Sequence, residues 1–477
     1  MALKAVVKAD FAAGNRLAAA GDYAGAIAVF DRCLAIDARD WQALANRANA
    51  HLQLGDSARA LDDYLAAAAL NPASLNIKSN LAVLLKELGE LELASGLLQE
   101  VLAADPDHVD AWSNLGIVRQ HQLHYQEAIA CLLKAIELGG ATAARCNNLG
   151  NVCTSALLLD DAVSVLQGGL ELAPDDANLQ FSLSIALLLA GRYAEAWPLY
   201  EARWRSILQA RHDGPRWRGE ALGRRTLLLW SEQGLGDSLQ MARFLPRIRA
   251  EHPDAELLLA CPATFHRLFA QFDGVKLLEA DAAPAYDCQL PLMSLPGVLG
   301  VTLDNLPTKA YLQSRAGLEP NLPDSPRLKV GVVWESGRWG VGIADAWRQH
   351  KSVPPALFAD ICRVPGVDFI ALQPGAAPAE LQGLVKQPAI ADFADTAALV
   401  EEMDLVICVD TAILHLAGAM GKPVWALLRA ESAPFFLADA PSAPWYPSVR
   451  LWRQPLPGAW QPVVKGLIAA LRQQPAF

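Results

Sequence analysis

The chain has 477 residues with 40 basic and 51 acidic side chains, a formal net charge of −11. At about 150 residues per domain this length calls for two to four domains, and a composition 53% hydrophobic and 19% charged excludes a disordered or collagen-like polymer. The acidic balance, with no run of Lys or Arg, argues against coating nucleic acid or lying on a membrane surface.

Residues 1–206 carry 15 basic and 24 acidic groups and the remainder 25 and 27, so an acidic part and a nearly neutral part meet near residue 206. The eight cysteines (33, 131, 146, 153, 261, 288, 362 and 408) include no Cys-x-x-Cys pair and mostly lie in apolar stretches. They read as reduced core residues. No stretch reaches the roughly 18 apolar residues that span a bilayer, and the amino terminus lacks a long apolar core before a cleavage site. A soluble cytoplasmic location is the expectation.

The first part repeats. Ala26, Ala60, Ala94, Ala128, Ala162 and Ala196 recur every 34 residues, as do Pro72 and Pro106, with Gly140 and then Pro174 in the following slots. Each period reads as two helix-like stretches, often with a turn marker between them (Gly21, Gly55, Gly89, Gly191). Four residues after each Ala stands a large side chain: Phe30, Tyr64, Leu98, Leu132, Leu166 or Tyr200. Small residues let paired helices approach and large ones fill the space between repeats. These residues resemble the tetratricopeptide repeat, with six copies within 1–206. The resemblance implies a superhelix whose inner surface binds a peptide or protein.

Asn46, Asn80, Asn114 and Asn148 occupy one slot on the first helix of four successive repeats. A side-chain amide offers donors and acceptors to an extended backbone of any sequence. The column resembles the asparagine ladder with which protein O-GlcNAc transferases grip their acceptor, although Asn is also common at this slot in generic repeats.

From residue 206 the period is lost. A polar connector (207–224) leads into strand–helix alternation of the kind that builds mostly parallel sheets with helices on both faces. Strand-like runs TLLLWSEQ, ELLLAC, VKLLEA and YDCQLPL fall within a first lobe, 225–318. The Pro-rich junction LEPNLPDSPR separates a second lobe, 327–477, with strands KVGVVWES, VDFIALQ, DLVICVD and PVWALL. Two such lobes make a cleft at the strands' carboxyl ends, where open α/β sheets bind ligands.

Two turns carry chemistry. Glu232-Gln233-Gly234-Leu235-Gly236-Asp237-Ser238 joins a strand to a helix, its glycines letting backbone approach a ligand. Leu239 where a third Gly would stand rules out a dinucleotide fingerprint, and no Gly-Lys-Ser/Thr follows to make a P-loop. Asp410-Thr411-Ala412-Ile413-Leu414-His415 repeats the strand-to-helix arrangement, with Thr411 and His415 on one helix face. Its N–H groups, hydroxyl and dipole suit a diphosphate. Each motif alone also fits a structural turn, a helix cap or a packed histidine.

Together, LLLWSEQGLGDSLQMARFLP and DFADTAALVEEMDLVICVDTAILHLAGAMGKPVWALL resemble a bacterial group of repeat-fused GT-B glycosyltransferases related to the heptosyltransferases and, more distantly, to the O-GlcNAc transferases. The likeness includes the AWPLYEARW junction and the APWYPSVRLWRQ tail. It implies a tetratricopeptide superhelix followed by two Rossmann-like lobes, and metal-free transfer of a sugar from a nucleotide donor to a protein, flagellin or another surface protein being one candidate. Asp237 matches the position of the proposed catalytic base. Gly234, Gly236, Ser336, Lys351, Gln373, Asp410, Thr411, Ala412 and His415 fall on the donor side, and the four asparagines on the acceptor side.

One region departs from the family. Where it has a Gly-Asn-Pro stretch and an Arg-Ser pair, this chain reads Trp334-Glu335-Ser336-Gly337-Arg338-Trp339-Gly340 and later Lys351-Ser352. Lys351 is assigned to the diphosphate, with Arg338 and Arg348 as alternatives. The departure keeps open a non-catalytic scaffold with a degenerate transferase half, or a glycan or lipid-linked acceptor.

Overall fold

A computed structural model describes residues 2–314, 320, 322, 325–337, 349–431, 433–438 and 440–474, with side chains from residue 9 onward. It separates into two compact units, one running to Val152 and the other beginning at Cys153.

The first unit is built of helix pairs: α1 (Ala2–Ala19), α2 (Tyr23–Ile36), α3 (Trp41–Gln53), α4 (Ser57–Leu70), α5 (Leu75–Glu87), α6 (Leu91–Ala104), α7 (Val109–His121), α8 (Tyr125–Gly139) and the start of α9 (Ala143–Ser155). Ala26, Ala60 and Ala94 are fully buried, and Phe30, Tyr64 and Leu98 fill the space beside them. Asp22, Asp40, Asp56 and Ser74 accept from backbone N–H groups at the starts of α2 to α5, satisfying donors that a helix end leaves open. The turn slot between paired helices is left-handed throughout the array. Gly21, Gly55, Gly89 and Gly191 have φ of 82°, 78°, 87° and 75°, and Leu123 (65°) and Leu157 (58°) adopt the same conformation in the two repeats without glycine there.

The second unit opens with α10 (Leu159–Leu172), α11 (Ala177–Leu189), α12 (Tyr193–Tyr200) and the short α13 (Arg203–Ser206). The compact unit therefore does not begin where the repeats end. The sixth repeat is fastened into the α/β part: Trp197 Nε1 donates to the Val301 carbonyl at 2.8 Å, and Trp445 Nε1 to the Tyr193 hydroxyl at 2.8 Å. Arg203, fully buried, donates to Ser294 Oγ at 2.7 Å and Glu232 Oε1 at 3.2 Å.

Two sheets follow. The first holds β1 (Thr226–Trp230), β2 (Glu256–Ala260), β3 (Val275–Leu278) and β4 (Cys288–Pro291) in the order β3-β2-β1-β4, with every pair parallel. Helices α14 (Leu235–Met241), α15 (Leu245–Glu251), α16 (His266–Phe269) and α17 (Leu295–Val298) accompany it. The helical segment after the glycine turn is interrupted by a 3-10 turn at Ala242–Phe244. Pro246, lacking an N–H, restarts the helix rather than continuing it.

The second sheet has seven strands: β5 (Leu328–Val333), β6 (Val367–Ala371), β7 (Val385–Lys386), β8 (Leu405–Val409), β9 (Val424–Leu428), β10 (Ser442–Ala443) and β11 (Tyr446–Arg453). Their order is β10-β11-β9-β8-β5-β6-β7, parallel except for β10 against β11. Helices α18 (Pro355–Cys362), α19 (Phe393–Glu401), α20 (Ala412–Ala419) and α21 (Trp460–Leu471) complete the lobe. The central strands β8 and β9 are buried along their whole length, as continuous apolar runs covered on both faces must be. All eight cysteines are buried. Among the described residues no helix is long and apolar enough to cross a membrane.

Candidate functional site

Both chemical turns leave the carboxyl end of a central strand. Beyond β1 the chain bends through Glu232–Gly234 into α14, where the Gly234 N–H donates to Asp237 Oδ2 at 2.8 Å. The carboxylate thus folds back over its own turn. Gly236 is required by space, not conformation: a Cβ there would lie 2.6 Å from His415 Cδ2 and 3.5 Å from Ala412 Cα. The missing side chain seats the start of α14 directly on the start of α20.

Beyond β8, Asp410 and Thr411 lead into α20. Thr411 is the cap residue of that helix, yet its hydroxyl makes no capping bond, and among the described residues the buried Oγ1 has no hydrogen-bond partner. Few buried polar atoms in a folded protein are left in that state. Lys351 Nζ meets Asp410 Oδ2 at 3.0 Å, which aims the ammonium; among the described residues that contact uses one of its three donors.

These turns wall one cavity of about 570 Å³. Gly234, Gly236, Asp237, Ser336, Lys351, Asp410, Thr411, Ala412 and His415 all line it. Gln373 does not. Its Oε1 accepts from the N–H groups of Trp334 (3.0 Å) and Glu335 (3.4 Å), so that it holds the end of β5 against the end of β6. Ser352 Oγ similarly accepts from the Ser336 N–H at 3.1 Å and shapes the loop beside the cavity. Arg338, Trp339, Gly340 and Arg348 lie outside the described residues.

The electrostatics separate the two carboxylates. Burial pushes Asp237 up to about 6, and the charge of Asp410 adds to the effect, against the Gly234 N–H and Lys351. Burial acts most strongly on Asp410 and would raise it too, but Lys351, His415 and Arg429 together hold that carboxyl below its ordinary range. Burial pushes His415 down to about 4, so its ring is neutral near pH 7. Behind the turn, burial pushes Glu232 up to about 7 against the pull of Arg203, while its Oε1 accepts from the Met293 N–H at 3.0 Å. One buried base of near-neutral pKa, one ionised carboxylate paired to a lysine and one neutral imidazole can serve proton abstraction beside an anion.

The cavity also has walls that the motifs did not reveal. Phe181 and Ile185 from α11, Tyr200 from α12, and Phe435 and Phe436 line it. The Tyr200 hydroxyl accepts from Gln233 Nε2 at 2.9 Å, tying the sixth repeat to the glycine turn. A signal existed: Ser79, Ser113 and Asn147 occupy one repeat slot, and Phe181 stands in that slot in the sixth copy.

In the first unit, Asn46, Asn80 and Asn114 line a second cavity of about 560 Å³ with Asn49, Asn76, Ser79 and Ser113. Asn148, on α9, is not part of its lining. Asn46 Nδ2 donates to Asn15 Oδ1 at 2.8 Å and Asn80 Nδ2 to Asn49 Oδ1 at 3.5 Å. Asn15 and Asn49 are themselves one period apart, so the sequence carries a second column of amides beside the first.

Residues 389–456 match the model of glycosyltransferase family 9 (heptosyltransferase), and residues 11–74, 80–143 and 158–206 match that of the tetratricopeptide repeat. Protein FlbA of Caulobacter vibrioides is 28% identical over 528 residues, spanning 94% of this chain and 87% of that protein. Among solved structures, the Cut9–Hcn1 hetero-tetramer of the APC/C aligns at 22% identity and a TM-score of 0.39, over 42% of this chain and 40% of that one. A thermophilic TPR protein of Thermus thermophilus aligns at 27% identity and a TM-score of 0.34, over 38% of this chain and 99% of that one. The chain thus carries tetratricopeptide repeats followed by a segment, residues 389–456, that is similar to glycosyltransferase family 9.

Proposed function

We propose that this protein transfers a sugar from a nucleotide-sugar donor to a hydroxyl of a polypeptide acceptor, without a metal ion. The observation that carries the reading is the single cavity walled by Asp237 on one side and by the start of α20, inside the family 9 segment, on the other.

In this reading the diphosphate meets the Thr411 hydroxyl, the N–H groups at Ala412, the His415 ring and the Lys351 ammonium. Asp410 aims Lys351 rather than touching the anion. Gly236 lets the opposite wall pack against His415, Gly234 holds Asp237 in place through its N–H, and Ser336 borders the donor from the loop after β5. Gln373 acts at one remove, by fixing that loop. As the bond from sugar to phosphate breaks, negative charge grows on the diphosphate, where fixed dipoles and the ammonium stabilise it. Asp237 accepts the acceptor hydroxyl's proton as its oxygen bonds to the sugar carbon. Burial gives this carboxylate the basicity for that task near neutral pH.

The amide-lined cavity of the repeats would hold the acceptor chain, with Asn46, Asn80 and Asn114 as rungs and Asn148 as a further one in the next repeat. Neutral amides suit a backbone whose side chains vary. The test is to incubate the purified protein with labelled UDP-, GDP-, ADP- and CMP-sugars and a host lysate. Transfer of label to protein supports the proposal. Label moving only onto glycan or lipid replaces the acceptor class, and no transfer, hydrolysis or nucleotide binding removes the activity.

A further inference from the structure

His415 does not stand alone behind the cavity. Tyr446, the first residue of β11, places its hydroxyl 3.2 Å from His415 Nδ1 and 3.4 Å from the hydroxyl of Tyr311. Gly418 makes the approach possible, since a Cβ there would lie 2.7 Å from Tyr446 Cγ.

Counting protons decides what these contacts are. Tyr311 has one, and its best acceptor is the Leu239 carbonyl at 2.9 Å, ahead of the Gln240 carbonyl at 3.4 Å. Toward Tyr446, then, Tyr311 offers only its oxygen. That oxygen also faces Arg243 Nη2 at 3.5 Å. The Arg243 guanidinium is buried, fixed by the carbonyls of Pro307 (2.8 Å) and Trp445 (2.9 Å), and lies 4.7 Å from the Tyr446 ring centroid.

Two places remain for the Tyr446 proton. Pointed at Tyr311, it would sit in the field of the guanidinium across the longer contact. His415 Nδ1 would then carry its own proton, and the Nε2 lone pair would face a cavity lined by Asp237 and Asp410. Pointed at His415, it uses the shorter contact, turns the Tyr446 oxygen toward Arg243 and leaves the ring proton on Nε2. The second arrangement uses the shorter contact and turns a donor toward those carboxylates, whereas the first sets a lone pair against them.

We propose that Tyr446 donates to His415 Nδ1 and thereby fixes His415 as the Nε2–H tautomer, an uncharged N–H donor held toward an oxyanion in the cavity. Tyr446 is a positioning residue, acting through His415, and the buried Arg243 beside its ring favours that orientation. The low proton affinity that burial gives His415 agrees, because only a neutral ring has a tautomer to fix. The oxyanion rests on the donor site proposed above; the tautomer does not.

The test labels the nine histidines with nitrogen-15 and assigns His415 by loss of its signals in His415→Gln. Long-range proton–nitrogen correlation spectra near neutral pH then read both ring nitrogens. The expected wild-type spectrum has a pyrrole-type shift at Nε2 and a pyridine-type shift at Nδ1. Tyr311→Phe leaves that pattern unchanged, since Tyr446 then has no other acceptor. Tyr446→Phe releases the ring to a mixture with Nδ1–H. In the same variant, affinity for whichever of UDP, GDP, ADP and CMP binds falls about three- to tenfold, the worth of one hydrogen bond. A wild-type pyrrole-type shift at Nδ1 overturns the proposal even if Tyr446→Phe fails to fold, as does an unchanged pattern in a folded Tyr446→Phe. Absence of nucleotide binding to the wild type would remove the donor site while the spectrum still decides the tautomer.

Discussion

Replacing Asp237 by Asn isolates the proton-transfer step. The amide oxygen can still accept from the Gly234 N–H, which Asp237 Oδ2 holds at 2.8 Å, so the turn keeps its shape while the base is lost. Turnover should fall by about 10²–10⁴, the usual worth of a positioned base. Nucleotide affinity should stay within about threefold, because the binding groups lie across the cavity on α20. The pH profile gives a second number. With the carboxyl pushed up to about 6 by burial, about nine-tenths is ionised at pH 7 and about one-tenth at pH 5. The wild-type kcat/KM should therefore drop about tenfold over that interval and level off above pH 7, since the base works only when ionised. The assay is release of nucleoside diphosphate from the sugar donor at a series of pH values. Full turnover in Asp237→Asn, or an acid limb near the ordinary carboxylate range of about 4, would refute the assignment.

Gly236→Ala should cost about 1–3 kcal/mol, as overpacking does, and weaken nucleotide binding by displacing His415; an unchanged urea midpoint would deny the tight seating of α14 on α20. At Gly55 φ is 78° and a Cβ meets nothing within 4 Å, so Gly55→Ala should lose about 1 kcal/mol for conformational reasons alone, read again from urea unfolding. Asn80→Ala combined with Asn114→Ala should lower transfer to polypeptide while leaving hydrolysis of the donor unchanged. Equal transfer by that double variant would move the acceptor out of the amide-lined cavity.

The repeat period was legible because it is enforced by packing. The second helices of the six pairs start at Tyr23, Ser57, Leu91, Tyr125, Leu159 and Tyr193, each 34 residues after the last. The left-handed turns at Leu123 and Leu157 were not, since nothing in a leucine announces positive φ and only the neighbouring repeats impose it. Central strands such as Leu405–Val409 showed as apolar runs, whereas the eight-residue β11 was hidden by Pro447, Arg450 and Arg453, which its place near the sheet edge tolerates. Six of the nine residues expected on the donor side lie in two strand-to-helix turns and line one cavity, whereas Ser336, Lys351 and Gln373 were named only through the resemblance. Gln373 could not be placed by motif, because its role depends on which backbone groups the end of β5 leaves open. Tyr446, Tyr311 and Arg243 come from three separated segments, so only the folded chain brings them to His415.

The most direct measurement is calorimetric titration of the wild-type protein and of Thr411→Val with UDP, GDP, ADP and CMP. Thr411 Oγ1 has no other partner among the described residues, and its loss should weaken binding about three- to tenfold with no change in thermal stability. One of these nucleotides should bind the wild type and bind the variant less well. Equal binding by both proteins would place the diphosphate elsewhere, and no binding by either would leave the cavity between Asp237 and His415 without a nucleotide to hold.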